Sequence, residues 1–117
     1  MSQAQARLEK CRELLTDIRG LEETIAGLPD PGETPEDVEQ LRMARAMLLS
    51  RRRQYTSAVT QAASVLDLLG GSERTACWMW YIRGMTNKEA ADEMKCSVRE
   101  AQRRRARALE RLEAMDG

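Results

Sequence analysis

The 117-residue chain contains no histidine and no phenylalanine. Without imidazole it lacks the side chain that most often acts as general base or metal ligand near neutral pH. Its three cysteines, Cys11, Cys77 and Cys96, lie far apart and form no CxxC pair. Isolated thiols and carboxylates make a poor zinc set, and an odd number of widely spaced cysteines suits a reducing cytosol better than a disulfide framework. No apolar run approaches the ~20 residues that span a bilayer, and the N-terminus lacks the basic-then-apolar pattern of a signal peptide. The expectation is a soluble cytoplasmic protein. Nucleophile–base pairs, phosphate-cradling glycine loops and carboxylate pairs with acid–base spacing are also missing, so the reading contains no enzyme activity, metal or cofactor.

Net charge is the next absence, with 19 basic and 19 acidic side chains. Total charge therefore predicts no polyanionic partner, but its distribution is uneven. Residues 1–71 carry nine basic and eleven acidic groups, and residues 72–117 carry ten and eight. Between Lys95 and Arg111 seven basic groups face two acidic ones. The positive charge is concentrated on one expected helix.

Alanine, leucine, arginine, glutamate, methionine and glutamine, the strong helix formers, dominate, and strand-type alternation is absent. The expected fold class is all-α. The spacing predicts a first helix over 3–27, with Cys11, Leu14, Ile18, Leu21, Ile25 and Leu28 as a heptad seam. All three prolines fall in GLPDPGETP, residues 27–35, which reads as a turn. Thr34 as cap and Pro35 at the first position open a second helix running to Leu69. Its seam comprises Val38, Leu41, Arg45, Leu48, Arg52, Tyr55, Val59, Ala62, Leu66 and Leu69. Two coiled-coil-like rods joined by a short turn form an antiparallel helical hairpin over 1–71, expected to serve dimerisation or partner contact. Gly70 and Gly71 end the second rod. Ser72 is then the expected cap of a helix of about eleven residues, SERTACWMWYIRG, closed by Gly84.

Two Thr/Ser-x-x-Glu patterns follow, Thr86 with Glu89 and Ser97 with Glu100. In such a capping box the hydroxyl accepts from a backbone N–H while the glutamate reaches back to the cap residue. Two boxes eleven residues apart predict a short helix over 87–95, a turn, and a longer helix over 98–115. That is the length pattern of a helix-turn-helix, making 72–117 a three-helix DNA-binding module. In the last helix Ala101, Ala108 and Leu112 centre one face, with Leu109 at its flank. Arg99, Gln102, Arg103 and Ala106 lie opposite, near the N-terminal end, where recognition helices meet base edges. Arginine reads guanine and glutamine reads adenine with two hydrogen bonds each. Lys88, Lys95, Arg104 and Arg107 flank that face and are placed to contact phosphates.

Residues 73–112, ERTACWMWYIRGMTNKEAADEMKCSVREAQRRRARALERL, resemble region four of bacterial sigma factors. The shared marks are R-T and then YIxG in the first helix, T-x-x-E-A-A, a serine at the turn and a terminal A-L-x-x-L. The likeness is closer to small phage-encoded late transcriptional regulators of the RinA/ArpU type, which also place a long helical hairpin first. The resemblance implies that Val98, Arg99, Gln102 and Arg103 face promoter DNA, that Cys77 and Cys96 take apolar positions, and that the setting is a host bacterial cytoplasm. The sequence departs from the pattern at Ala90, Lys95 and Arg104, where an aliphatic residue, a glycine and an apolar residue are usual. The expected function is a phage or prophage transcription regulator that binds double-stranded DNA. Its further partners would be RNA polymerase and a second copy of the chain, met through the N-terminal helices or Trp78. Two alternatives remain: a phage small terminase subunit for DNA packaging, and an adaptor that binds RNA polymerase without touching DNA.

Overall fold

A computed structural model describes residues 2–28 and 34–116; part of the turn expected over 27–35 lies outside them. The described residues are helical, in the order α1 (Gln3–Gly27), α2 (Pro35–Leu66), α3 (Gly71–Cys77, continuing as a π helix over Trp78–Ile82), α4 (Asn87–Met94) and α5 (Val98–Asp116). No described helix is long and apolar enough to cross a membrane.

The first two helices start where local chemistry favours it. Ser2 Oγ accepts from Gln5 N at 3.0 Å, and Thr34 Oγ1 accepts from Asp37 N at 3.1 Å. Pro35 follows Thr34, and Glu36 and Asp37 meet the positive end of the helix dipole. The three-four spacing of apolar residues then sets the packing. Leu8, Cys11, Leu14 and Ile18 of α1 are buried, as are Leu41, Leu48, Ala62, Val65 and Leu66 of α2. Asp17 lies 3.9 Å from Arg51, whereas Ala4 and Leu8 share a cluster with Leu66 and Leu69, so α1 and α2 run antiparallel.

Cys77, Tyr81 and Ile82 of α3 and Ala108 and Leu112 of α5 join that same cluster. The core therefore sits at one end of the α1–α2 pair and belongs to both halves of the chain. Leu8, Leu66 and Leu112 are fully buried within it, each contributing about 2 kcal/mol of transfer free energy. Toward the other end burial thins: Leu21 and Ile25 are half-buried, and Val38, Met43 and Met47 are exposed.

Three local expectations are corrected. α2 ends at Leu66 rather than Leu69, and Leu69 is buried from the connecting turn. Gly70, not Ser72, is the N-cap of α3, with Gly71 left-handed at φ 53° and Ser72 inside the first turn. The expected eleven-residue α-helix becomes a π helix halfway, where Arg83 N donates to Trp78 O at 3.0 Å. The last carbonyls of a helix have no partner within it. Here the neighbouring helices take them, as described below. Gly84 closes the element at φ 62°, the left-handed conformation that its position predicts.

Candidate functional site

α4, the turn after it and the first half of α5 carry most of the positive charge singled out by sequence. Thr86 and Glu89 form a full capping box, with Glu89 N to Thr86 Oγ1 and Thr86 N to Glu89 Oε1 both at 3.1 Å. The N–H bond from Thr86 draws the Glu89 carboxyl below its ordinary pKa. Ala90 and Ala91 face inward. Lys95 then turns the chain at φ 55°, a left-handed conformation that costs an L residue about 1–2 kcal/mol.

The second box is only half made. Ser97 Oγ accepts from Glu100 N at 3.0 Å. The Glu100 carboxylate, instead of reaching back, accepts from Arg104 Nε at 3.2 Å and Arg107 Nη2 at 3.1 Å, with Arg103 Nη1 at 3.8 Å. The Arg104 and Arg107 guanidinium groups, Arg104 first, lower the Glu100 pKa. The competition is decided by charge: an ionised donor outbids a neutral amide for a carboxylate.

Ala101, Ala108 and Leu112 are buried on the inner side of α5. Val98, Arg99, Gln102, Arg103, Ala106 and Arg107 are exposed, as are Lys88 at the start of α4 and Lys95 at the turn. Val98, Arg99, Gln102 and Arg103 thus share an open surface on the first turns of α5. Arg99 has no carboxylate partner among the described residues. Arg103 and Arg107 share Glu100 in exposed pairs, each of the kind that contributes at most about 1 kcal/mol and exchanges readily for another anion. The Arg104 side chain is 23% exposed and held by Glu100, so it is the least free of the flanking cations.

Sequence reasoning missed Arg105. Its guanidinium carbon lies 3.9 Å from the centre of the Trp80 ring, and its Nη1 donates to Asn87 Oδ1 at 2.9 Å, tying α5 to the first turn of α4. Arg12 of α1 lies over the same ring at 3.6 Å and donates to Trp80 O at 2.7 Å and Met85 O at 3.1 Å. One turn pair further along α1, Arg19 donates to Gly84 O at 3.0 Å and Arg83 O at 3.1 Å. Tyr55 of α2 donates to Ile82 O. The carbonyls left without internal partners at the end of the π helix and just beyond it are therefore taken by α1 and α2, with two guanidinium groups at the negative end of the helix. Burial lowers the pKa of both Arg12 and Arg105. On α5's other edge Arg111 pairs with the mostly buried Glu73 at 2.8 Å. Helical phase was the available signal: at 100° per residue Arg105 lies about 40° from Ala101 and about 20° from Leu112, on the buried side.

The two tryptophans point to different surroundings. Trp80, not Trp78, meets the N-terminal helices, while Trp78 is 40% exposed beside Arg74 and Thr75. Cys11 and Cys77 are buried, and burial raises their thiols to about 11 and about 12, keeping them protonated. Cys96 is half-buried. A groove of about 430 Å³ beside Trp80 is bordered by Glu9, Glu13 and Asp17, and no cluster of metal-ligating side chains occurs among the described residues. Its three carboxylates make it unsuited to an anionic ligand.

Comparison with protein-family models, with curated proteins and with solved structures finds no match.

Proposed function

We propose that the chain is a sequence-specific double-stranded DNA-binding protein, a transcription regulator of phage or prophage type. In this reading α1 and α2 are a helical hairpin, and α3–α5 form a sigma-region-4-like helix-turn-helix with α5 as the recognition helix. One observation carries it. Val98, Arg99, Gln102 and Arg103 are exposed together at the N-terminal end of a helix whose opposite side is buried. A groove-reading helix needs that arrangement: an anchored back, an open front, and bidentate donors near its first turns. Arg107, Lys88 and Lys95 supply phosphate contacts around it, and Arg104 joins them by leaving Glu100.

Selection of bound duplexes from a random-sequence pool would identify the preferred site. Arg103→Ala and Arg99→Ala should then each weaken that site by about 1–3 kcal/mol while changing binding to random duplex much less. Equal losses on both would reduce these residues to phosphate contacts and remove sequence reading.

Glu100 favours a second reading, because it engages three of the arginines that DNA would need. In that reading the chain is an adaptor that captures RNA polymerase, and exposed Trp78 and the α1–α2 surface meet the polymerase or a second copy. Retention on mixed-sequence duplex at low salt, lost steeply as salt rises, removes the adaptor.

A further inference from the structure

Between Arg42 and Arg53, α2 carries five arginines and no acidic residue. At 100° per residue, Arg42, Arg45, Arg52 and Arg53 fall within about 100° of one another, on one exposed face. Arg42 is held by Glu39 through two donors, one of them Nε at 2.9 Å. Arg52 approaches Glu22 at 3.9 Å, beyond hydrogen-bond distance, and Arg45 has no carboxylate partner among the described residues.

The side of the molecule on which this face lies can be read from its partners. Arg19 holds Arg83 and Gly84 just before α4. Glu22 follows Arg19 by three residues, about 60° around α1, whereas Asp17 lies about 160° away. Arg52, which approaches Glu22, is therefore on the α4 side of α2. Arg51, which approaches Asp17, is on the opposite flank. Arg19 also exerts its charge on Glu89 in the first turn of α4. Along this flank basic groups thus alternate with carboxylates: Lys88 and Glu89 open α4, Arg19 lies near Glu89, Arg52 approaches Glu22, and Arg45 follows about 10 Å further along α2.

We infer that Arg45 and Arg52 form a second phosphate-binding patch, extending the DNA track of α4 and α5 onto the α1–α2 pair. The inference rests on the DNA-binding reading, in which the helix before the recognition helix crosses the sugar–phosphate backbone. A duplex lying across Lys88 continues past this flank, and the separation of Arg45 from Arg52 spans about three phosphates of one strand. Exposed guanidinium groups without firm carboxylate partners bind there by releasing counterions, and they read no sequence.

The test uses the full chain and a mixed-sequence duplex of about three helical turns, following affinity against salt. Neutralising two phosphate contacts in an Arg45→Gln/Arg52→Gln variant should reduce the slope of log K against log salt by about 2, with lower affinity at low salt. Arg51→Gln, on the opposite flank, should leave the slope at the wild-type value. Thermal midpoints near wild type for both variants would confirm that folding is intact, since exposed substitutions change stability by about 0.5 kcal/mol or less. An unchanged slope in the double variant, or an equal loss in Arg51→Gln, overturns the patch while the DNA reading stands. Failure of the wild-type chain to bind any duplex overturns both.

Discussion

Arg103 and Arg105 leave the same helix two residues apart and have opposite fates. Arg103 is exposed, loosely paired with Glu100 at 3.8 Å, and free to exchange that partner for another anion. Arg105 lies against Trp80, bonded to Asn87, with part of its hydration shell removed. Charge counting treats the two as equal. A rotation of about 200° around the helix separates an arginine that faces solvent from one that holds the fold together. The same division runs through the molecule: Arg12, Arg19 and Arg105 form the inner seam, and Arg45, Arg52, Arg99 and Arg103 the outer surface.

The seam breaks most severely at Gly84. A Cβ there would lie 2.6 Å from Leu15 Cδ2 and 3.1 Å from Arg19 Nη1, in a left-handed conformation that alanine resists. Gly84→Ala should therefore cost about 3 kcal/mol, which lowers the thermal midpoint by roughly 10 °C in a domain of this size. Gly71→Ala is the matched control. It has the same sign of φ with nothing within 4 Å, and should cost about 1 kcal/mol. Equal losses at the two glycines would mean that α1 and α3 are not tightly engaged.

Arg105 and Arg103 test the comparison directly. Arg105→Ala removes a desolvated cation–π contact and a charged hydrogen bond, each of about 2 kcal/mol at most, and relieves the desolvation of the guanidinium. The net loss should be about 2 kcal/mol in urea denaturation. Arg103→Ala should stay within about 0.5 kcal/mol of wild type. Equal stability of the two variants would erase the distinction between inner and outer arginines.

Much of this arrangement was legible in the sequence, and the residues show where legibility ends. Helical periodicity identified the buried faces of α1 and α2 through Cys11, Leu14, Ile18, Leu48 and Leu66, and that of α5 through Ala101, Ala108 and Leu112. Those positions repeat at a fixed angle, so one sequence suffices to find them. The π turn was not legible in helical phase, and the carbonyls at its end are held by Arg12, Arg19 and Tyr55 from 27 to 73 residues away. The choice between Trp78 and Trp80 was hidden for the same reason. Glu100 was misread because the capping-box pattern considers a local contest for the carboxylate and ignores the arginines one and two turns ahead. At the candidate site, exposure of Arg99, Gln102 and Arg103 followed from phase, while the exposure of Val98, about 60° from buried Ala101, and the tethering of Arg104 did not.

A small gain rather than a loss of stability is predicted at Lys95, in the turn between α4 and α5. With φ at 55°, the lysine backbone carries a left-handed cost that glycine does not. Lys95→Gly relieves about 1–2 kcal/mol of that cost but gives back part of it through the greater freedom of glycine in the unfolded chain. The variant should therefore be more stable by about 0.5–1 kcal/mol in urea. It also removes one exposed cation beside Ser97, so in the DNA-binding reading the salt slope should fall by about 1 while the preferred sequence stays the same. Stability and binding then move in opposite directions, which separates the two roles of the residue. A glycine variant that is no more stable would show that the αL turn is not strained. One that gains stability but keeps the full slope would place Lys95 outside the phosphate track.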